Sequence, residues 1–239
     1  MHREYHRWYS PSLGRDMELL IFGHSGARML VFPTSMGRFY EWEDRGMPHT
    51  LGDQIGRGDL QMICVDSVDK SSWYARWKHP EYRARRQTAY ENYLLQEVLP
   101  LSWQINQTPF LITAGASFGA YHAVNFALRH PQWVGRAIGL SGVYDISPWT
   151  DGHGGGEVYF HNPVAYMANE HDHGRLEAIR TLDLIMVTGR DDPRRGENEN
   201  FSHILWQKNV WHALRIWDGW AHDWPYWQQM IRLYIGGSD

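Results

Sequence analysis

Short apolar runs alternate along the chain with longer amphipathic or polar stretches. This order predicts βα units that build a mainly parallel sheet. Each run has four to six residues, as a buried strand should. The predicted strands are Glu18–Phe22, Arg28–Phe32, Gln61–Val65, Phe110–Thr113, Arg136–Leu140, Leu184–Val187 and Ala213–Trp217.

A helical period appears between these runs. It is clearest over Arg83–Leu99, where the apolar residues share one face, and Pro100 is expected to end that helix. Two further helices are predicted over Phe118–Leu128 and Trp224–Tyr234. The longest irregular section covers residues 143–174, and excursions of this length often cover a binding cleft.

The 239 residues suit a single α/β domain, which we predict over residues 1–239. A formal net charge of −4 does not favour nucleic acid as a partner. The sequence shows neither a secretory signal nor an apolar run of membrane-spanning length, so we expect a cytoplasmic protein without a membrane partner. Cys64 lies in an apolar run and is expected to be a buried, reduced thiol. Homo-oligomerisation stays open.

The strongest chemical signal is a Gly-x-Ser-x-Gly motif from Gly115 to Gly119, placed directly between a predicted strand and a predicted helix. This context is what a nucleophile elbow requires, because the sharp turn holds the serine hydroxyl above the sheet. Ser117 is therefore the predicted nucleophile. The N–H of Phe118, at the start of the helix, is placed to stabilise an oxyanion.

A serine nucleophile needs a histidine to take its proton and an acid to orient that histidine. His222 lies after the last predicted strand and just before the final helix, which is the expected place for the base. Asp191 and Asp192 follow the preceding strand. We favour Asp192 as the acid, and keep Asp191 and then Asp145 as alternatives.

Aromatic residues are unusually frequent, with 13 Trp and 13 Tyr. Their large apolar bodies suit a cleft that holds an apolar acyl or aromatic group. We predict Trp73, Tyr74 and Trp220 as substrate-binding residues. A group of histidines suggests a metal site, but its spacing gives no recognisable ligand set, so neither metal nor cofactor is expected. These histidines are His153, His161, His171 and His173.

With these residues in place, the chain resembles the esterase branch of the α/β-hydrolases that includes esterase D, S-formylglutathione hydrolases, feruloyl esterases and mycolyltransferases. The segments that carry the resemblance are Gly115–Gly119, Leu140–Asp145, Thr188–Pro193 and Gly219–Trp227. The resemblance implies an α/β-hydrolase fold with helices on both faces of the sheet. It also implies hydrolysis of a small-molecule ester or thioester through an acyl-enzyme, with Ser117, Asp192 and His222 as nucleophile, acid and base.

The sequence departs from this family in the loop that supplies the second oxyanion donor. Members often carry His-Gly-x-Gly there, whereas this chain reads Phe-Pro-Thr-Ser-Met-Gly over residues 32–37. Aligned on Trp42, the loop places the N–H of Ser35 in the hole, or that of Met36 if the register shifts by one residue. Two other functions stay open: acyl transfer by the same residues, and a non-catalytic scaffold with an altered oxyanion loop.

Overall fold

Eight strands form one sheet in the computed structural model, which describes residues 1–236. They are β1 (Arg3–Ser10), β2 (Arg15–Phe22), β3 (Ala27–Phe32), β4 (Leu60–Val65), β5 (Leu111–Ala116), β6 (Arg136–Leu140), β7 (Asp183–Gly189) and β8 (Ala213–Trp217). Their order in the sheet is β1-β2-β4-β3-β5-β6-β7-β8. The pairs from β4 across to β8 are parallel, while β1 and β2 are antiparallel additions at one side.

Helices connect the strands and cover the sheet. They are α1 (Glu41–Asp44), α2 (Met47–Thr50), α3 (Gly52–Arg57), α4 (Pro80–Tyr93), α5 (Leu99–Ile105), α6 (Phe118–Arg129), α7 (Gly156–Phe160), α8 (Pro163–Ala168), α9 (His173–Ile179), α10 (Arg195–Gln207) and α11 (Trp224–Tyr234). A π-helical turn spans Leu94–Val98, and 3₁₀ turns span Asp69–Ser71 and Ser147–Trp149.

Two apolar cores lie on opposite faces of the sheet, because successive strand residues point to opposite sides. In β3, Leu30 and Phe32 pack with residues of α4, α6, α8 and α10. Met29 and Val31 pack with residues of α1–α3 and α11 on the other face. The mainly parallel sheet covered on both faces confirms the predicted fold class.

The first strand was missed by sequence reasoning. Strand β1 has no apolar run, because charged, histidine and aromatic residues are mixed along it and most of them are at least partly exposed. It lies at the edge of the sheet, pairs only with β2, and contributes no buried apolar side chain to either core.

The prediction that Pro100 ends a helix was wrong. The π-helical turn continues α4 directly into α5, and Pro100 stands in the first turn of α5. Pro100 therefore lies inside a continuous helical run, and the adjacent π-helical turn, with its wider hydrogen-bond register, accommodates a residue that cannot donate.

The parallel strands β3, β5, β7 and β8 end at the same edge of the sheet. The segments that follow them carry the predicted catalytic residues Ser117, Asp192 and His222 and the predicted oxyanion donors Ser35 and Phe118. Residues 143–174 form an excursion that contains one 3₁₀ turn, α7, α8 and the first residues of α9. Cys64 is a free, buried cysteine, as predicted. Within residues 1–236, no helix combines the length and apolar character needed to cross a membrane.

Candidate active site

Ser117 sits on a sharp turn between β5 and α6. Its φ of +56° is a left-handed value that L-residues rarely adopt, and its N–H donates to the carbonyl of Leu140 at 2.8 Å. The flanking glycines make this turn possible. A Cβ on Gly115 would lie 2.1 Å from the oxygen of Gly119, and a Cβ on Gly119 would lie 2.5 Å from the oxygen of Pro33. A side chain at Gly115 would force β5 and α6 apart, and one at Gly119 would push α6 away from the end of β3.

The structure brings the predicted base and acid to this serine. Nε2 of His222 lies 3.3 Å from Oγ of Ser117, and Nδ1 of His222 lies 2.8 Å from Oδ2 of Asp192. The Asp192 side chain is fully buried, whereas the His222 side chain is 18% exposed. The three residues come from loops after β5, β7 and β8, so the sheet edge alone accounts for their meeting.

The two alternative acids lie elsewhere. Asp191 is exposed, and its backbone N–H donates to the carbonyl of Gly219. Asp145 accepts hydrogen bonds from the N–H and hydroxyl of Ser147 and from the amide of Asn162. Neither carboxylate contacts His222 in the part of the chain that the structure describes.

Asp192 is held as an ionised acceptor. Burial raises the pKa of this carboxyl, but hydrogen bonds from His222, from the N–H of Arg194 and from the hydroxyl of Thr188 outweigh burial and lower it below its ordinary value. A carboxylate that stays ionised fixes the proton of the neutral imidazole on Nδ1. Nε2 is then free to accept a proton from the Ser117 hydroxyl.

The loop that carries His222 is fastened to the end of β6 by Ser141, a residue that sequence reasoning missed. The hydroxyl of Ser141 donates to the carbonyl of Ala221 at 2.8 Å and accepts from the indole N–H of Trp227 at 3.0 Å. Ser141 and Ala221 both have positive φ, at 50° and 45°. The indole of Trp220 stacks on the imidazole of His222 with ring centres 5.7 Å apart.

The first candidate oxyanion donor is the N–H of Phe118, the first residue of α6, where helix geometry supplies no intrahelical acceptor. The second lies in residues 34–37, called loop 34–37 below. Three of its four amides donate to an acceptor. The N–H of Thr34 donates to Oε2 of Glu41 (2.7 Å), that of Met36 to Oδ2 of Asp69 (2.8 Å), and that of Gly37 to the carbonyl of Thr34 (2.9 Å). The N–H of Ser35 has no acceptor within residues 1–236. This corrects the alternative that assigned the donor to Met36.

The predicted substrate-binding aromatics have different positions. Trp220 is half exposed beside His222. Tyr74 is partly buried, donates from its hydroxyl to Oγ of Ser35 at 2.8 Å, and packs on Phe118 with ring centres 5.3 Å apart. Burial, as the leading cause, raises the pKa of Tyr74. Trp73 is fully buried and donates to the hydroxyl of Tyr121, so its placement corrects the prediction that it contacts substrate.

Two residues near the site were not predicted. The Trp149 ring is buried and packs on the rings of Phe118 and Tyr74, with ring centres 5.1 Å and 6.0 Å away. The guanidinium of Arg194 lies 5.5 Å from the Trp149 ring centre. Trp149 belongs to the excursion 143–174, which was the signal that could have pointed to it.

The four candidate metal-binding histidines are not brought together. His161 is buried beside Thr88, and His153 contacts Glu81, while His171 and His173 are exposed. No group of three or more His, Cys, Asp or Glu side chains within residues 1–236 is arranged to hold a metal ion. A cavity of about 660 Å³, lined by residues that include Arg28, Trp103 and Trp133, lies at the opposite edge of the sheet, where the parallel strands begin.

Comparison with known proteins identifies the family of the chain. The family model described as "Putative esterase" matches residues 41–232. Among solved structures, a ferulic acid esterase is 16% identical with a TM-score of 0.77, covering 98% of this chain and 96% of that chain. An S-formylglutathione hydrolase from Agrobacterium tumefaciens is 11% identical, with a TM-score of 0.75 and coverage of 98% and 93%.

A ferulic acid esterase from the anaerobic fungus Anaeromyces mucronatus is 14% identical, with a TM-score of 0.73 and coverage of 99% and 90%. At these identities the likeness shows a shared fold. No curated protein sequence matches the chain significantly. Because the family model covers most of the chain, the chain belongs to this esterase family, as its motifs predicted, and is a hydrolase of the carboxylesterase type.

Proposed function

We propose that the chain hydrolyses a carboxylic ester, or a thioester, through an acyl-enzyme on Ser117. The observation that carries this proposal is the unbroken chain of contacts from Asp192 through His222 to Ser117. The distance of 3.3 Å between Nε2 and Oγ is slightly long, as is common before substrate binds.

In this mechanism Oγ of Ser117 forms a bond to the acyl carbon while its proton passes to Nε2 of His222. The negative charge on the carbonyl oxygen is stabilised by the N–H groups of Phe118 and Ser35. The tetrahedral intermediate then expels the alcohol or thiol, which takes the proton from His222. Water repeats the sequence on the acyl-enzyme, with His222 again accepting a proton, and releases the carboxylic acid.

The walls of the site favour an apolar acyl group. Tyr74 and the half-exposed Trp220 supply aromatic surface near the Ser117–His222 pair, and the buried Trp149 packs on Tyr74. We therefore include aromatic acyl esters, such as the feruloyl esters that the names of two structural neighbours suggest, among the candidate substrates.

The proposal is tested by a hydrolysis panel. It comprises p-nitrophenyl esters of increasing chain length, methyl ferulate and S-formylglutathione. We expect wild type to hydrolyse at least one class, and Ser117→Ala to lose about 10⁴-fold or more in kcat while still folding. The control is Ser202→Ala, which removes a buried serine hydroxyl bonded to His212, away from the site. Equal turnover by Ser117→Ala and wild type would contradict the proposal.

A further inference from the structure

A second buried histidine–aspartate pair lies next to the site and has no place in the mechanism above. Oδ1 of Asp69 accepts from Nε2 of His122 at 2.8 Å, and both side chains are almost fully buried. The ring of His122 is surrounded by Phe32, Tyr90, Phe118 and Tyr121, so it has no path to a substrate.

The other carboxylate oxygen of Asp69 binds loop 34–37. Oδ2 accepts the backbone N–H of Met36 at 2.8 Å, across 33 positions of sequence. Among residues 1–236, His122 is the only basic side chain that contacts this carboxylate. A buried carboxylate is costly unless its oxygens are satisfied. Both oxygens of Asp69 are satisfied, and one is committed to loop 34–37.

Met36 needs such an anchor. Its φ of +56° is unfavourable for a residue with a side chain, and that side chain is 42% exposed. Apolar packing therefore does little to hold the residue in this conformation. The hydrogen bond to Asp69 is the contact that fixes the backbone at the position directly after Ser35.

Loop 34–37 is fastened at its other end as well. Oε2 of Glu41 accepts the N–H of Thr34 at 2.7 Å, and Oε1 accepts the hydroxyl of the same residue at 2.7 Å. The two carboxylates thus engage the amides on either side of Ser35, and among the described residues the Ser35 N–H is left without an acceptor.

His122 extends this arrangement to the first donor. It lies one turn after Phe118 on α6, and the two rings are 5.4 Å apart. Because His122 holds Asp69, and Asp69 holds Met36, the loop with the second N–H is tied to the helix with the first. The spacing between two oxyanion donors decides whether both reach one oxygen atom.

We propose that Asp69, held by His122, and Glu41 are positioning residues that keep the Ser35 N–H aimed at the oxyanion. This inference rests on the proposed function, and it explains how a loop without the His-Gly pair of related esterases forms a hole.

Glu41→Ala and Asp69→Ala test the inference, measured with the ester that wild type hydrolyses fastest. We expect kcat to fall about 10- to 100-fold in each variant, with KM changed less than about threefold, because the lost contacts shape only the oxyanion site. Glu41→Gln and Asp69→Asn should recover most of the activity. Each amide keeps one acceptor oxygen for the loop N–H and can donate to Thr34 Oγ or His122.

Phenylboronic acid forms a tetrahedral adduct on the nucleophile. Its affinity therefore distinguishes an effect on oxyanion positioning from an effect on protein stability. Its affinity should fall with kcat in the alanine variants, whereas inhibition by the carboxylate product should not change. The matched control is Glu91→Gln. Glu91 is also a buried carboxylate beside histidines, but it contacts Arg129 and His130 at the far end of α6. It should lose stability and keep kcat.

Glu41 is only partly buried at the start of α1, so its alanine variant serves even where Asp69→Ala does not fold. Folded alanine variants that keep wild-type kcat and boronate affinity would overturn the inference and leave the proposed function standing. A wild-type protein that hydrolyses no ester and forms no boronate adduct would instead defeat the proposed function.

Discussion

Replacing Ser141 by alanine should damage both stability and catalysis, although Ser141 does not touch the nucleophile. Its hydroxyl is fully buried and joins the carbonyl of Ala221 to the indole N–H of Trp227. Ala221 precedes the proposed base, so this hydroxyl fastens the loop that places the imidazole.

The magnitude follows from the two groups left without a partner. An unsatisfied buried donor or acceptor costs about 1–3 kcal/mol, so we expect Ser141→Ala to lower the free energy of unfolding by about 3 kcal/mol. For a chain of this length that corresponds to a fall of about 6–12 °C in Tm. A displacement of the imidazole by about 1 Å should also reduce kcat about 10- to 100-fold.

The assay combines thermal unfolding with ester hydrolysis well below both Tm values. Ser202→Ala is the control, because it removes a buried hydroxyl whose one hydrogen bond within residues 1–236 is to His212, and it should cost about 1 kcal/mol with no change in kcat. If Ser141→Ala lost stability but kept wild-type kcat, the loop would not depend on this anchor. Unchanged stability would show that the two hydrogen bonds are absent.

Three further predictions concern the Asp192 carboxylate, the turn that carries Ser117 and the loss of stability at low pH. Asp192→Asn should lower kcat about 10³- to 10⁴-fold because the imidazole loses its tautomer, whereas Asp191→Asn should leave kcat unchanged; equal losses in a kinetic comparison would refute the assignment. Gly119→Ala places a Cβ 2.5 Å from the oxygen of Pro33, so calorimetry should show a loss of about 1–3 kcal/mol, and an unchanged Tm would contradict the crowding. Burial lowers the pKa of His161 from 6.5 to about 3, so the unfolded chain binds a proton first as the pH falls below about 6.5, and stability is lost from there down towards pH 3. Between pH 7 and 5 this loss is about 2 kcal/mol, and urea titrations of His161→Gln should show that much less pH dependence; an equal dependence in both proteins would refute it.

The fold was predictable because burial leaves a strong local signal. The parallel strands of the sheet lie between two apolar cores and therefore read as continuous apolar runs. Strand β1 gave no such signal, because an edge strand with charged side chains looks like a polar segment. The prediction that Pro100 ends a helix failed because the outcome depends on the geometry of the neighbouring turns, which the residue alone does not reveal.

The candidate site was also predictable only in part. The elbow, His222 and Asp192 could be found because each follows a recognisable strand. The choice between Ser35 and Met36 could not be made from the sequence, since it depends on Asp69, which lies more than 30 positions away. Trp73 and Tyr74 are neighbours of the same chemical type, and only packing decides that one is buried while the other borders the site.

The most direct test of the account is to find which residue becomes covalently modified. Wild-type protein is treated with a fluorophosphonate, digested and analysed by mass spectrometry, beside Ser117→Ala and His222→Ala. We predict one adduct, on the peptide that contains Ser117, which is absent from Ser117→Ala and forms far more slowly in His222→Ala. An adduct on another residue, or equal labelling of Ser117→Ala, would contradict the claim that Ser117 is the nucleophile.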